Sequence, residues 1–126
     1  MTAVIEKLET NIPGFDYIAL GGLPKGRATL VSGTSGSGKT VFAVHFLAAG
    51  IEQKGEGGVF VTFEEPPDDI RKNIQGLGWD ISGWETGGKW AFVDASLEPE
   101  TYEAVAGEYD LGALLVRIEN AIRKTN

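Results

Sequence analysis

The run Gly33-Thr34-Ser35-Gly36-Ser37-Gly38-Lys39-Thr40 constrains this chain more than any other feature, because of what stands on each side of it. Before it lies a short apolar, β-branched stretch, Arg27 to Ser32, with Leu30 and Val31 at its centre, which reads as a strand. After it, Lys39 to Ile51 holds apolar residues in continuous supply and no proline, the pattern of a helix buried over most of its surface. A glycine-rich turn from strand to helix predicts a βα unit, and repeated βα units predict an α/β domain with a parallel sheet.

The rest of the chain repeats the alternation. Gly55, Gly57 and Gly58 stop the helix, and Val59 to Phe63 (VFVTF) follows as a continuous β-branched and aromatic run, expected of a strand covered on both faces. Pro66 and Pro67 close that strand and open a short helix, Asp68 to Leu77, with Ile70, Ile74 and Leu77 along one side. Gly76 to Gly88 reads as a glycine-rich turn carrying Trp79 and Trp84. Trp90 to Val93 makes a further strand, Asp94 to Asp110 an acidic loop containing Pro99 and Gly107, and Leu111 to Arg123 a last helix. Its predicted buried stripe is Leu114, Leu115, Ile118 and Ile122, with basic residues in the final turn where they complement the dipole. No internal repeat or low-complexity segment interrupts this order.

The eight residues from Gly33 to Thr40 also fill every fixed position of the phosphate-binding pattern GxxxxGK(S/T). Glycines allow positive φ and a close wrap around phosphate oxygens, while loop N–H groups and the helix N-terminus supply partial positive charge. Lys39 is suited to the β- and γ-phosphates and the Thr40 hydroxyl to magnesium. Glu64 and Glu65 close the second strand, where a carboxylate points into the ligand crevice and could orient an attacking water. A solvated acidic turn before a helix would use the same residues. Asp94, at the end of WAFVD, has the form of an aspartate that holds magnesium, or else merely opens the acidic loop. His45, mid-helix among apolar residues, reads as a buried, hydrogen-bonded histidine rather than a base. The three tryptophans read as packing residues.

Composition narrows the partners. With 126 residues the chain is one compact domain or part of one. Basic residues number 11 against 18 acidic, a net charge of −7 that argues against a general nucleic-acid binder. There is no cysteine, which removes disulfides and thiolate chemistry and suits a cytoplasmic protein. No apolar run approaches the roughly 20 residues of a membrane span, so no membrane partner is expected.

Further segments carry a resemblance. Ile12-Pro13-Gly14-Phe15-Asp16, Gly21-Gly22-Leu23-Pro24-Lys25-Gly26, LVSGTSGSGKT, VFVTFEEPP, Gly78-Trp79, VDAS from Val93, VAGEYDL from Val105 and AIRK from Ala121 together resemble the KaiC family of clock ATPases, of the RecA/DnaB-like superfamily. The resemblance runs from about Leu8 to Asn126, and the SGTSGSGKT loop with paired glutamates looks like that family's N-terminal (CI) ATPase domain. It implies a RecA-like P-loop NTPase fold, a parallel sheet with flanking helices, of which residues 1–126 form the N-terminal part, ending before the Walker B strand. It further implies ATP and Mg2+ at Gly33, Thr34, Ser35, Gly36, Ser37, Gly38, Lys39 and Thr40, with Thr40 on the metal and Glu64 and Glu65 catalytic. Slow ATP hydrolysis, a homo-hexameric ring and a KaiB-like partner at the loop Ala95 to Asp110 belong to the same implication. Because the family carries its magnesium aspartate on a later strand, Asp94 becomes a decoy. Two other functions stand beside this one: a recombinase or helicase relative acting on DNA, and a catalytically inert interaction fragment.

Overall fold

The computed structural model describes residues 5–95 and 111–126. They gather into two compact units, Met1–Lys54 and Gly55–Asn126.

In the first unit, β1 (Lys7–Leu8) pairs antiparallel with β2 (Leu23–Pro24), Lys7 opposite Pro24 and Leu8 opposite Leu23. Between them, helix α1 (Phe15–Ile18) is tied down by its own aspartate. The Asp16 carboxylate accepts from the Thr10 hydroxyl at 2.7 Å, the Asn11 N–H at 2.8 Å and the Thr10 N–H at 3.1 Å, and Thr10 is fully buried. Helix α2 (Lys39–Lys54) buries Val44, Ala48, Ala49 and Ile51, and its Phe42 ring meets Phe15 edge-on at 5.2 Å. It runs past the expected end at Ile51 and stops where Gly55 takes φ +66.

The strand expected at Arg27 to Ser32 is a correction: the structure gives that segment no strand, and Leu30 is 91% exposed. A β-branched run becomes a ladder strand only beside a neighbour that satisfies its N–H and C=O groups. Among the described residues of this unit, the paired ones are those of β1 and β2.

The Asp16 clasp makes a pH prediction. Partial burial pushes its carboxyl up, but hydrogen bonds from the Thr10 side chain and the Thr10 and Asn11 N–H groups, with Lys54 nearby, outweigh this and hold it below its ordinary value. A carboxyl depressed in the folded state stabilises the fold above its unfolded value, and that contribution is lost as pH falls through the folded one. Asp16→Asn should therefore melt below wild type at pH 7, with the gap closing toward pH ~3. Circular-dichroism melts across that range check it; a gap independent of pH would show that the clasp does not act through charge.

In the second unit, β3 (Gly58–Thr62) and β4 (Trp90–Asp94) form the expected parallel pair, in register from Gly58 opposite Trp90 to Thr62 opposite Asp94. The connection holds two helices. Helix α3 (Pro67–Gln75) begins as its sequence dictates, with extended Pro66 before it, Pro67 in its first turn and Asp68 and Asp69 at its positive end. It buries Ile70 and Ile74; Leu77 lies beyond its end and is 53% exposed. Helix α4 (Ile81–Thr86) occupies what reads as a glycine-rich turn, started by the Asp80 side chain accepting from the Gly83 N–H at 3.1 Å.

Arg71 of α3 forks onto Glu85 of α4, Nε and Nη2 donating at 2.9 and 2.6 Å, and lies 4.9 Å from the Phe92 ring centroid. Trp84 stacks on Trp90 at 6.1 Å and Trp90 on Phe60 at 6.2 Å, so these two tryptophans pack, as expected.

Helix α5 (Leu111–Thr125) covers the sheet, and a core of Val93, Ala95, Leu114 and Ala121 forms beneath it with Val59, Val61, Ala91 and Ile118. The predicted stripe is half right. Leu114 and Ile118 face the core, but Leu115 and Ile122 are 63% and 53% exposed, and Ala121 and Thr125 are buried in their place. The small residues let the helix end approach the chain before β3. A Cβ on Gly57 would lie 2.1 Å from the Thr125 carbonyl oxygen, so that position admits only glycine without a shift.

Candidate functional site

The loop Gly33 to Thr40 makes a tight turn that leads into α2. Ser37 N–H donates to the Thr34 carbonyl at 3.1 Å, and Gly36 and Gly38 take φ +80 and +91, conformations that L side chains rarely adopt. At Gly33 the limit is space instead: a Cβ there would meet Ser37 Oγ at 2.4 Å. Lys39 opens α2 and turns its ammonium back into the loop, donating to the Gly33 carbonyl at 2.5 Å and reaching the Thr34 carbonyl at 3.4 Å. Thr40, half-buried, is the second residue of the same helix. The first-turn N–H groups of a 16-residue helix and a lysine charge thus converge on one exposed loop.

Glu64 and Glu65 follow β3 directly, in the second unit. Glu64 is exposed; Glu65 is half-buried, its carbonyl accepting from Thr62 Oγ1 at 2.5 Å and its Oε2 from Asn73 Nδ2 at 3.3 Å. Asp94 is the last residue of β4, opposite Thr62, so the parallel pairing brings it to the same carboxyl edge that the glutamates leave. Its carbonyl accepts from Arg117 Nη2 at 2.9 Å. Thr62 and Asn73 were not among the residues singled out from sequence. A threonine three positions before Glu65 is a recognisable local turn signal. Asn73 has none, since its role depends on how far α3 folds back.

His45 sits half-buried in α2. No group of histidine and carboxylate side chains among the described residues is arranged to hold a metal ion, and no described helix is long and apolar enough to cross a membrane. The expected partner loop, residues 95–110, lies outside the described residues except for Ala95, which is buried.

A parallel βα arrangement with a glycine-rich loop feeding a helix N-terminus defines a protein of the α/β P-loop class. The KaiC ATPase family model matches residues 8–126. The chain belongs to that family. It is 66% identical over 120 residues to the circadian clock protein KaiC3 of Synechocystis sp., an alignment covering 95% of this chain and 24% of the relative. It is 55% identical over 120 residues to the circadian clock oscillator protein KaiC of Synechococcus elongatus (95% and 23%) and 54% identical over 123 residues to that of Thermostichus vulcanus (98% and 24%). The chain spans about a quarter of the length of these relatives. The match gives no support to a DNA-acting relative.

Proposed function

We propose that the chain carries the nucleotide-binding loop and the water-orienting carboxylates of a slow, clock-type ATPase. The observation that carries this is the conformation of Gly33 to Thr40, where positive-φ glycines, a helix N-terminus and the Lys39 ammonium meet. These residues fit a polyphosphate. Side-chain-free glycines leave room for close approach, the helix N-terminus offers N–H donors, and the Lys39 ammonium already donates to the Gly33 and Thr34 carbonyl oxygens of the loop, where it could turn to phosphate oxygens instead. Bound magnesium-ATP would supply the reactive γ-phosphoryl group, with Thr40 as the hydroxyl offered to the metal.

The chain's own residues then do three things. The loop N–H groups and Lys39 bind and orient phosphate oxygens; Thr40 fixes the metal's place; Glu64 and Glu65 orient or deprotonate water. Assembly into a hexameric ring and a KaiB-like partner at the loop Ala95 to Asp110 complete the proposal, supported by the family and the motif resemblance.

Three measurements on the full-length protein test it. Calorimetric titration with magnesium-ATP should give saturable binding, and phosphate release should show slow turnover. Single-stranded DNA titrated across salt should give no salt-dependent affinity, because the net charge of −7 opposes phosphate contacts. Absence of ATP binding would end the proposal, and tight DNA binding would return the chain to the recombinase or helicase class.

A further inference from the structure

Three neighbouring side chains of the first unit stand in solvent: Tyr17 is 88% exposed, Ile18 80% and Leu20 84%. They do not hang from a loose loop. Asp16 clasps the backbone of Thr10 and Asn11, its own carbonyl accepts the Gly21 N–H at 2.7 Å, and the Ala19 carbonyl accepts from Lys7 Nζ at 3.2 Å. Within this brace Leu20 takes φ +55, a conformation that a leucine adopts only at a cost, and its side chain finds almost no packing within the chain in return. A braced, strained and exposed leucine beside two further apolar side chains has the form of a knob presented to a partner.

The same unit holds a hollow of matching character. Leu8 and Leu23, opposite one another in the β1–β2 ribbon, line a groove of about 290 Å³ together with Pro24, Val31 and Phe46. None of the three knob residues lines it, so the chain does not fill its groove with its own knob.

The charges beside the two features are opposite. Arg27 is the charged residue of the groove lining; it is exposed and has no hydrogen-bond or ion-pair partner among the described residues. Glu9 is likewise exposed and without a side-chain partner among the described residues. It stands against Gly22, two residues past Leu20, where an added Cβ would lie 3.0 Å from the Glu9 Cα. In a chain of net charge −7, whose copies repel one another, a free cation beside the groove and a free carboxylate beside the knob give association a preferred orientation.

We propose that Tyr17, Ile18 and Leu20 of one copy seat in the groove of the next copy, with Glu9 of the first beside Arg27 of the second. Because knob and groove are separate patches of one surface, the contact is head-to-tail, the kind that closes into a ring when the rotation between copies allows. The inference rests on the ring assembly proposed above and assigns surfaces to it.

The test is assembly of the full-length protein with magnesium-ATP, followed by light scattering behind size-exclusion chromatography over a dilution series. Leu20→Asn removes the apolar side chain and relieves the backbone, since asparagine tolerates positive φ. The concentration at half-assembly should rise at least about 10-fold, as expected when one buried leucine is lost, while the melting temperature of the dissociated protein does not fall. Glu9→Arg and Arg27→Glu should each weaken assembly at least about threefold, and the double exchange should recover most of that loss. Circular dichroism checks folding; Leu20→Asn and Glu9→Arg, both at exposed positions, keep the test open if Arg27→Glu does not fold. A ring that forms as in wild type in all these variants would mean that another segment of the same chain covers knob and groove, and would overturn the proposal. Failure of the double exchange to recover either single loss would overturn the pairing of Glu9 with Arg27. Wild-type protein that stays monomeric with and without magnesium-ATP would instead overturn ring assembly, and this inference with it.

Discussion

Replacing Lys39 with alanine is expected to abolish ATP binding at working concentrations while the melting temperature stays within a degree or two of wild type. The lysine is exposed, and its contacts are to the carbonyl oxygens of Gly33 and Thr34, which water can solvate once the ammonium is gone. Surface changes of that kind usually move stability by no more than about 0.5 kcal/mol. Binding loses far more. A charge-assisted hydrogen bond is worth roughly 1.5–3 kcal/mol, and one lysine serving two phosphates therefore accounts for about 100-fold or more in affinity. Calorimetric titration beside a thermal melt separates the two quantities. Unchanged ATP affinity would mean that the loop is a turn with a coincidental sequence, and a collapsed fold would mean that Lys39 is structural.

The elements whose local pattern agreed with their packing were legible in the sequence. The VFVTF and WAFV runs became the parallel pair β3 and β4, and the proline pair with its following aspartates marked the start of α3 within a residue. Segments that depend on distant partners were not. Arg27 to Ser32 has a strand's composition, yet its pairing needs a neighbour supplied by other parts of a fold. On α5, Leu115 and Ile122 fit a helical stripe as well as Ala121 and Thr125 do, since both sets recur at spacings of three and four. Hydrophobicity favoured the leucine and isoleucine; the close approach of Gly57 to Thr125 favoured the small residues. The β1–β2 ribbon and the Asp16 clasp escaped because they are built from hydrogen bonds of two- and four-residue elements that leave no periodic trace.

At the candidate site, the glycine-rich turn into α2 was legible because it is local: eight consecutive positions carry the positive-φ glycines, the lysine and the helix start. The glutamates were legible as a pair and not as individuals. Their difference arises from Thr62 at the end of a ladder and Asn73 on a packed helix, facts of tertiary placement.

Changing both glutamates to glutamine in the full-length protein should lower ATP turnover by at least an order of magnitude and leave ATP affinity within a few-fold of wild type. Amide replacements keep the shape and the turn, including the Thr62 bond to the Glu65 carbonyl, but remove the charge and basicity on which the proposed water-orienting role depends. General-base contributions of roughly 100- to 10,000-fold set the scale, and the lower bound allows for slow chemistry in wild type. Asp94→Asn supplies the contrast. Asp94 ends β4 at the same edge, opposite Thr62, so a purely electrostatic effect of any carboxylate there would make its loss comparable. The motif resemblance instead places the magnesium aspartate on a later strand, and Asp94→Asn should then cost only a few-fold. Phosphate-release rates measured across magnesium concentration decide between them. If Asp94→Asn removes the magnesium dependence while the double glutamine variant turns over normally, the metal site belongs to β4, and Glu64 and Glu65 are a solvated turn before α3.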